Sequence, residues 1–538
     1  MEHSLLHGLQ LLGLVVAGGG LWLKLLFHFA RLGSEAEGPD RLARLWGQRA
    51  SWIAAAATFA DSFVQVAEIE NRTVFGGVPL NQWFAFVTTT TVGQIGLGRS
   101  IALFLLGSAF SAGGRLGWAI AAALYAVAAI LAAAVSHAAA QPSESLTAVG
   151  WHLLHLLAIS AWIGVVFHLW LQRPFWSAVH SATVAQGWVT LLRSFSPLAL
   201  ATAALVFSSG LVAALRFAPT LWDLGWSAYG LTLTLKLVLI VPIVLAGGYN
   251  FWIAVPALHT ASQNFSPDTW RSVAVRFLRS LETEATMGLM VIAVAGIVGS
   301  VSPPGSDGTV TLSREQVAAL LSPKLPATTF VDPTLFVGDA ERNRFDLLYS
   351  EFMHNWSGVA VILMGAFWLL QGGQGTLALL AAKLWPLLFV PFAVFVSAFA
   401  DPEVFVLRQV TFVEAVSDPV VLEHQIGALL IVLLAWLGWG DSRRPVVQRP
   451  LGPWLPVLML VGSLLLLGHA HASVRATQEL TNLINVQHAI FGSLGLLAGI
   501  VRWFMLRGLL PARVARVVWP SFIILLGVFM AFFYREAI

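Results

Sequence analysis

The chain has 538 residues, of which 57% are hydrophobic and only 11% are charged, and its mean hydropathy is +0.78. No soluble protein of this length has such a composition. It predicts a polytopic membrane protein built of helices, whose backbone hydrogen bonds are satisfied within each segment. The absence of cysteine excludes disulfides and thiolate metal sites. The formal net charge of +3 is small for this length and argues against a nucleic-acid partner.

Apolar runs of about 20 residues are long enough to cross a bilayer. They predict an all-α polytopic integral membrane protein of about fourteen transmembrane helices with internal repeats. The predicted spans are Ser4–Ala30, Trp46–Ala67, Trp83–Ser108, Leu116–His137, Thr147–Leu171, Val189–Leu215, Ala228–Phe251, Arg279–Val301, Leu347–Leu370, Leu377–Ala398, Val420–Trp439, Trp454–Ala470, Leu483–Leu506 and Val514–Tyr534.

A polar, proline-containing stretch, Ser302 to Asp346, separates the eighth span from the ninth. It divides the chain into four predicted parts. These are an N-terminal four-helix membrane repeat at 1–140, a four-helix membrane domain at 141–305, a periplasmic connecting loop at 306–346 and a six-helix membrane domain at 347–538.

Basic residues in the short loops predict the orientation, because Lys and Arg accumulate in cytoplasmic loops. In a fourteen-span chain all the arginine-rich loops share one side, which we assign to the cytoplasm, so both termini lie outside. The beginning of the chain lacks the basic start of a signal peptide and is interpreted as part of the first span. The basic residues are Arg31, Arg41, Arg44, Arg49, Arg271, Arg276, Arg443, Arg444, Arg449, Arg507, Arg513 and Arg516.

Two internal repeats are visible. Thr91-Val92-Gly93 precedes Arg99, and Ala228-Tyr229-Gly230 precedes Lys236, by the same spacing. The second repeat pairs the histidine-bearing segment around His137 with the one around His469. Repeats in a membrane bundle often bracket a substrate path, although chance similarity between apolar segments is the simpler explanation.

The chain has fourteen histidines, and ten of them fall at or near outer ends of the predicted spans. Two of these, His152 and His155, share one helical face at i, i+3 spacing. Neutral imidazole binds copper, zinc, iron or nickel, whereas a histidine that is merely tolerated at an interface needs no metal. The predicted metal ligands are His137, His152 and His155 in one outer site, and His354, His424, His469, His471 and His488 in a second.

Several charged residues fall inside apolar spans. Such groups cost about 2.5–3.5 kcal/mol on insertion scales and normally pair with one another or line a wet path. We predict that Lys236 pairs with Glu284 and Arg99 with Asp61, either as static ion pairs or along a transport path. Asn250, at the inner end of the helix of Lys236, then caps carbonyls or lines an exit. No Walker A loop, HExxH or CxxC motif is present, and we predict a protein that is not an enzyme.

Three stretches carry a family resemblance: HLLAISAWIG, SAYGLTLTLKLVLIVPIVLAGGYNFW and FLRSLETEATMGLMVIAVAGIVGSVSPP. In this order they resemble the CopD family of bacterial inner-membrane copper proteins. The C-terminal part, with DPEVFVLRQVTFVEAVSDP, GHAHA and FYRE, resembles the extension of long members, and TTTTVGQIGLGR echoes the family pattern in a divergent first half. The resemblance implies copper transport across the cytoplasmic membrane, uptake from the periplasm, a response to copper stress and a periplasmic copper carrier as partner.

The functional hypothesis is therefore a copper transporter, for Cu(I) or Cu(II), in the bacterial inner membrane. Copper binds the outer histidines and passes between the repeats near Lys236 and Glu284. His168 and His28 mark the exit. Two alternatives stay open: a haem b protein that transfers electrons through axial histidines, and a copper sensor or scaffold that binds the metal without conducting it.

Overall fold

The structure is a computed structural model, and it describes residues 2–30, 36–70, 73–135, 145–306, 310–335, 343–442, 452, 454–469 and 477–536. The chain is 85% helical, and the described ranges contain no β-strand. The predicted all-α class is confirmed. Two predicted metal ligands, His137 and His471, lie outside the described residues.

The first half of the chain, up to residue 306, consists of long helices joined by short ones. They are α1 (Glu2–Ala30), α2 (Glu37–Ile69), α3 (Leu80–Thr89), α4 (Thr91–Ala112), α5 (Gly114–Ala134), α6 (Ser145–Ile159), α7 (Val165–Leu171), α8 (Arg173–Ser177), α9 (Ala182–Phe217), α10 (Leu221–Trp226), α11 (Ala228–Tyr249), α12 (Val255–Gln263) and α13 (Pro267–Val298).

The second half begins with a short helix in the connecting segment and continues with six longer helices and two single turns. These are α14 (Arg314–Leu320), α15 (Arg344–Gln371), α16 (Thr376–Phe399), α17 (Pro402–Phe405), α18 (Phe412–Ala415), α19 (Pro419–Ser442), α20 (Trp454–Gly468), α21 (Gln478–Leu506) and α22 (Ala512–Phe533).

Twelve helical segments of the described chain are long and apolar enough to cross a membrane, so this is a multi-pass membrane protein. The other two predicted spans correspond to α2 and α20. Charged residues recur along α2, from Glu37 to Glu68. Helix α20 has 15 residues, about 22 Å at 1.5 Å per residue, whereas the hydrocarbon core is about 30 Å thick. The total of fourteen stays a prediction.

Several predicted boundaries are wrong because helix caps, and not the apolar windows, set the ends. The predicted third span is broken at Thr90, whose extended backbone and side chain cap α4 through the Gly93 N–H. Helix α13 begins twelve residues before the predicted start, where Ser266 caps it and Pro267 occupies its first turn. Polar caps lie beyond the apolar stretch, so the helices extend past the hydrocarbon.

The repeat around Arg99 and Lys236 has a common local structure. In both copies a short helix, α3 or α10, runs into a Thr or Ser cap, and the cap accepts a hydrogen bond from a glycine N–H, at Gly93 or Gly230. The cation follows its cap by nine residues in both helices. A Cβ at either glycine would clash with a backbone oxygen of the preceding short helix, so the close turn requires glycine.

Helix α1 is the central element of the first half. It packs against α2, α13 and the α6–α7 span. Glycines make these approaches close: Gly19 faces Gly164 in the α6–α7 span, and Gly8 faces Gly296 of α13. Without side chains at these points, the helix backbones come into direct contact, which gives close dispersion contact along the crossing.

Replacing Gly164 by alanine is therefore expected to destabilise the protein by about 1–3 kcal/mol, the usual cost of overpacking a close contact. A Cβ there would collide with the Val15 carbonyl oxygen of α1. Gly96→Ala is the matched control, since a Cβ at Gly96 meets nothing within 4 Å and alanine is the better helix former by up to about 1 kcal/mol. Thermal unfolding in detergent measures both; equal midpoints would contradict the crossing.

The two halves share one core. Leu460 and Leu467 of α20 and Leu496 and Ile500 of α21 belong to the same buried apolar cluster as the residues of α1 and α13. Glu282 of α13 also forms an ion pair with Arg507 after α21, with 2.5 Å between Oε1 and the guanidinium. The predicted domain limits stay predictions, because the packing continues across them.

Two helical spans contain a π-helical turn, at Ser160–Gly164 between α6 and α7 and at Asn250–Ala254 between α11 and α12. Both turns fall in stretches that carry the family resemblance. Such π-turns occur frequently at functional sites in helices. Here they place Ser160 and Asn250 in buried positions, where each makes a side-chain contact with another helix.

Candidate functional site

Four of the predicted histidines form a row of rings in the second half of the chain, which we call the histidine quartet: His424, His469, His488 and His354. Ring centroids are 5.4 Å apart between His424 and His469, 4.7 Å between His469 and His488, and 5.6 Å between His488 and His354. The rings come from α19, the residue after α20, α21 and α15. The predicted second site is thus brought together, apart from His471, which is not described.

Every ring of the quartet is held through its Nδ1 atom. His488 donates to the Ile484 carbonyl at 2.9 Å and His354 to the Ser350 carbonyl at 2.9 Å. His424 Nδ1 contacts the Asp401 carboxylate at 3.0 Å, and His469 Nδ1 contacts the Glu423 carboxylate. An Nδ1–H donated to an oxygen leaves the Nε2 lone pair as the ligand atom, and metal-binding histidines typically have this second contact.

The local sequence explains how the two carboxylates reach the rings. Asp401 precedes α17, whose first turn begins with Pro402, yet its side chain makes no cap hydrogen bond. Its carboxylate instead contacts His424. The neighbouring Glu423 is on the same turn of α19 and is only 5% exposed, and it contacts His469 on the other side. A buried carboxylate is stable only when it is paired, and here an imidazole N–H pairs it.

The end of the chain closes the row of rings. Tyr534 stacks on His354 with centroids 4.0 Å apart and donates its hydroxyl hydrogen to Glu536 at 2.6 Å. Gln487, one residue before His488, both accepts from the Arg535 N–H and donates to its carbonyl, each at 2.8 Å. The segment Tyr534 to Glu536 is therefore fixed in place and limits the movement of His354 and His488.

The ring spacing agrees with a shared metal. Two imidazoles that bind one ion at about 2.0–2.1 Å per nitrogen have centroids about 5 Å apart. Among the described residues, however, no group of three or more His, Asp or Glu side chains could hold a metal ion as it stands. Binding therefore requires the quartet rings to turn toward a common point.

The first predicted site looks different. His155 contacts Ser209 of α9 through Nδ1 at 2.8 Å, and His152 lies close enough to His7 for an electrostatic interaction. His7 and His3 of α1 have ring centroids 6.0 Å apart. The structure therefore brings His152 near His7, an α1 histidine that the sequence analysis did not choose as a ligand.

The predicted ion pair between Arg99 and Asp61 is wrong. Asp61 contacts His3 Nδ1 at 2.7 Å and accepts from Gln65 at 2.9 Å, while the Arg99 guanidinium donates to Gln10. The two charges lie in one polar group, but a histidine and two amides take up their hydrogen bonds. Spacing along the sequence could not show that α1 contributes these side chains.

The predicted pair between Lys236 and Glu284 is also wrong. Glu284 accepts a hydrogen bond from Asn250, at the π-turn after α11. Asn250 lies fourteen residues beyond Lys236, about 21 Å along a helix at 1.5 Å per residue. No hydrogen bond or ion pair joins Lys236 to a carboxylate within the described ranges; it interacts electrostatically with His155.

The two histidines predicted at the exit are in different environments. His168 is fully buried and its Nε2 donates to the Val16 carbonyl of α1 at 2.8 Å. His28 is exposed in the last turn of α1. The structure does not bring them into contact, and no described contact joins them.

The functional candidates that the sequence analysis missed are the quartet's oxygen partners, Asp401 and Glu423, and the closing Tyr534. Their signal was present in DPE, in the Glu-His pair of α19 and in FYRE. Only the fold shows that these stretches meet at one place.

With the geometry described, comparison with known proteins adds one match. Residues 189–298 match the sequence model of the family described as copper resistance protein D. Over this segment the chain is similar to the CopD family. No curated protein and no solved structure gives a significant match. The chain is thus a multi-pass membrane protein that is related, through this segment, to copper resistance.

The matched segment covers most of α9 and all of α10, α11, α12 and α13. It contains Lys236, Asn250 and Glu284, together with the π-turn at Asn250. The histidine quartet lies outside it. The two candidate regions are neighbours all the same, because α11 packs against α21, the helix that carries His488.

Proposed function

We propose that this protein binds copper at the histidine quartet and carries it across the bacterial cytoplasmic membrane. The observation that carries the proposal is the row of four imidazoles, each held at Nδ1, with centroids 4.7–5.6 Å apart. The family match supports copper as the metal. We assign the quartet to the periplasmic side, from the predicted distribution of basic loops.

The donor set favours Cu(II) over Cu(I). The quartet offers imidazole nitrogens with carboxylates behind them and no cysteine, and imidazole and carboxylate suit the divalent ion, while thiolate and thioether suit Cu(I). The negative charges of Asp401 and Glu423 also compensate a divalent cation in a site where His469 and His488 are almost fully buried.

Burial indicates where the ion enters. The His424 side chain is 21% exposed, while that of His469 is 5% exposed. Copper supplied by a periplasmic carrier would therefore meet His424 first and then move to His469 and His488. We propose uptake as the direction, and a path through the matched segment past Lys236, Asn250 and Glu284, with Arg99 and Asp61 in the polar group around α1.

The test uses the full-length protein purified from copper-replete cells. We expect bound copper by mass spectrometry, a Cu(II) electron paramagnetic resonance signal with nitrogen hyperfine structure, and copper flux into proteoliposomes above that of empty vesicles. A Soret band without copper would overturn the proposal in favour of a haem b protein. Bound copper without flux would overturn transport and indicate a sensor or scaffold.

A further inference from the structure

A cavity of about 250 Å³ lies between α13 and the span formed by α11, its π-helical turn and α12. The π-turn explains the space, because its wider i→i+5 winding interrupts the regular α-helical surface that faces α13. The wall of the cavity is apolar or aromatic except for one guanidinium. The lining residues are Tyr249, Ile253, Ala254, Ala257, Val273 and Arg276.

The arginine of this cavity is exposed and carries an uncompensated charge. No described carboxylate forms an ion pair with Arg276. The nearest acidic residues of α13 have other partners, since Glu282 pairs with Arg507 and Glu284 accepts a hydrogen bond from Asn250. A second exposed arginine, Arg279, follows one turn later on the same helix. This part of α13 therefore has an excess of positive charge, which an anion would complement.

The length of α13 places Arg276 at the surface of the bilayer. The helix has 32 residues, about 48 Å at 1.5 Å per residue, whereas the hydrocarbon core is about 30 Å thick. Counted from Val298 along the membrane normal, the hydrocarbon therefore ends near Arg279. Arg276 lies about 4.5 Å beyond this edge, within a headgroup layer that is roughly 5–7 Å thick on each side, and Arg271 lies about 12 Å beyond it.

Aromatic side chains at the cavity give the same level independently. Tyr249 lines the cavity, and Trp252 of the π-turn is 75% exposed. Tyrosine and tryptophan concentrate at the level of the lipid headgroups. Ile253, which also lines the cavity, is exposed as well. The cavity therefore opens on the outer surface of the helices, where lipid can enter from the side.

The two kinds of wall together identify the class of ligand. A guanidinium binds a phosphate through two parallel hydrogen bonds, while the apolar wall gains free energy by covering hydrocarbon. A free inorganic anion would use only the arginine. A zwitterionic phospholipid would bring an ammonium group next to Arg276 and Arg279. An anionic phospholipid satisfies both walls without this repulsion.

We propose that the cavity binds one anionic phospholipid, with its phosphodiester at Arg276 and the start of one acyl chain against Tyr249, Ile253 and Ala257. Basic pockets between membrane helices are known to bind anionic headgroups. The volume is below the roughly 300–1,000 Å³ of pockets that enclose a whole ligand, so most of the lipid stays in the bilayer. The site does not depend on copper binding, and its failure would leave the histidine quartet unaffected.

Native mass spectrometry of the delipidated full-length protein in detergent tests the lipid. The probes are phosphatidylglycerol and phosphatidylcholine with identical acyl chains, and we expect one phosphatidylglycerol to bind severalfold more tightly. Arg276→Gln should reduce its binding to the level of phosphatidylcholine. Arg271→Gln, which removes the same charge from an exposed position of α13 outside the cavity, is the control and should change nothing. Equal binding of the two lipids by the wild type, retained binding in Arg276→Gln, or equal losses in both variants would overturn the proposal.

Ala257→Phe tests the apolar wall. The phenyl ring fills the cavity while Arg276 stays, so phosphatidylglycerol binding is expected to fall severalfold. Gln263→Phe, at an exposed position at the end of α12 outside the cavity, is the control. Inorganic phosphate in large excess should not displace the lipid from the wild type. Displacement would indicate a site for a free anion, and undiminished lipid binding in Ala257→Phe would place the lipid elsewhere; either result overturns the proposal. If Ala257→Phe does not fold, the comparison of Arg276→Gln with Arg271→Gln decides.

Discussion

Replacing His469 and His488 together by alanine is expected to reduce copper bound to the purified protein to background. These two rings are the closest pair of the quartet, 4.7 Å between centroids, and both are nearly buried. Their loss leaves only two of the four imidazoles, His424 and His354, whose rings are not the closest pair. Copper content after gel filtration and the Cu(II) resonance signal measure the effect.

Two control variants make this result specific. The double variant His180→Ala, His259→Ala removes two histidines outside both predicted sites, so its copper content should equal that of the wild type. The double variant His152→Ala, His155→Ala should also keep its copper, because both residues lie outside the quartet and His155 contacts Ser209 through Nδ1. Loss of copper in this variant, and not in the quartet variant, would reverse the assignment of the site.

Much of the fold could be predicted from composition. Apolar runs set the helices, and glycine, serine and threonine next to them set several caps, as Thr90 and Ser227 show. The errors concern the ends of helices, such as the start of α13. A window of apolar residues does not detect the polar part of a helix that continues into water. The repeat of Gly93 with Arg99 and Gly230 with Lys236 was visible because it is local in sequence.

The pairing of buried charges could not be predicted in the same way. Asp61 contacts His3, and Arg99 donates a hydrogen bond to Gln10, although the charges of Asp61 and Arg99 are complementary. Helix α1 supplies both partners, and its position at the centre of the first half depends on glycine contacts with α7 and α13. A pairing rule based on charge alone ignores neutral amides and imidazoles, which satisfy a buried ion at less cost in desolvation.

The histidine quartet could be predicted in part. Its histidines could be recognised as a set, since each is close to a span end, but their Nδ1 partners come from residues 401 and 423 and from carbonyls one turn away. These contacts distinguish a candidate metal site from scattered interfacial histidines. They also make the site sensitive to changes that leave every imidazole in place.

Glu423→Gln is therefore expected to weaken copper binding about 10–100-fold while leaving the number of sites unchanged, the usual effect of losing a carboxylate behind a metal-bound histidine. This corresponds to about 1.4–2.7 kcal/mol. Glutamine keeps the size of the side chain but removes the charge that favours the divalent ion, and it replaces the charged acceptor of His469 by a weaker, neutral amide oxygen. Titration against a competing chelator gives the affinity.

Asp401→Asn should act in the same direction through His424 but less strongly. The His424 side chain is 21% exposed and that of His469 is 5% exposed, so solvent screens the ion pair of His424 more. Glu479→Gln, an exposed carboxylate in the first turn of α21, is the control and should leave the affinity unchanged. If Glu423→Gln binds as tightly as the control, the carboxylates only satisfy buried imidazoles, and the quartet loses its main distinction from structural histidines. A graded loss, larger at Glu423 than at Asp401, follows only if the ion is held near the buried rings.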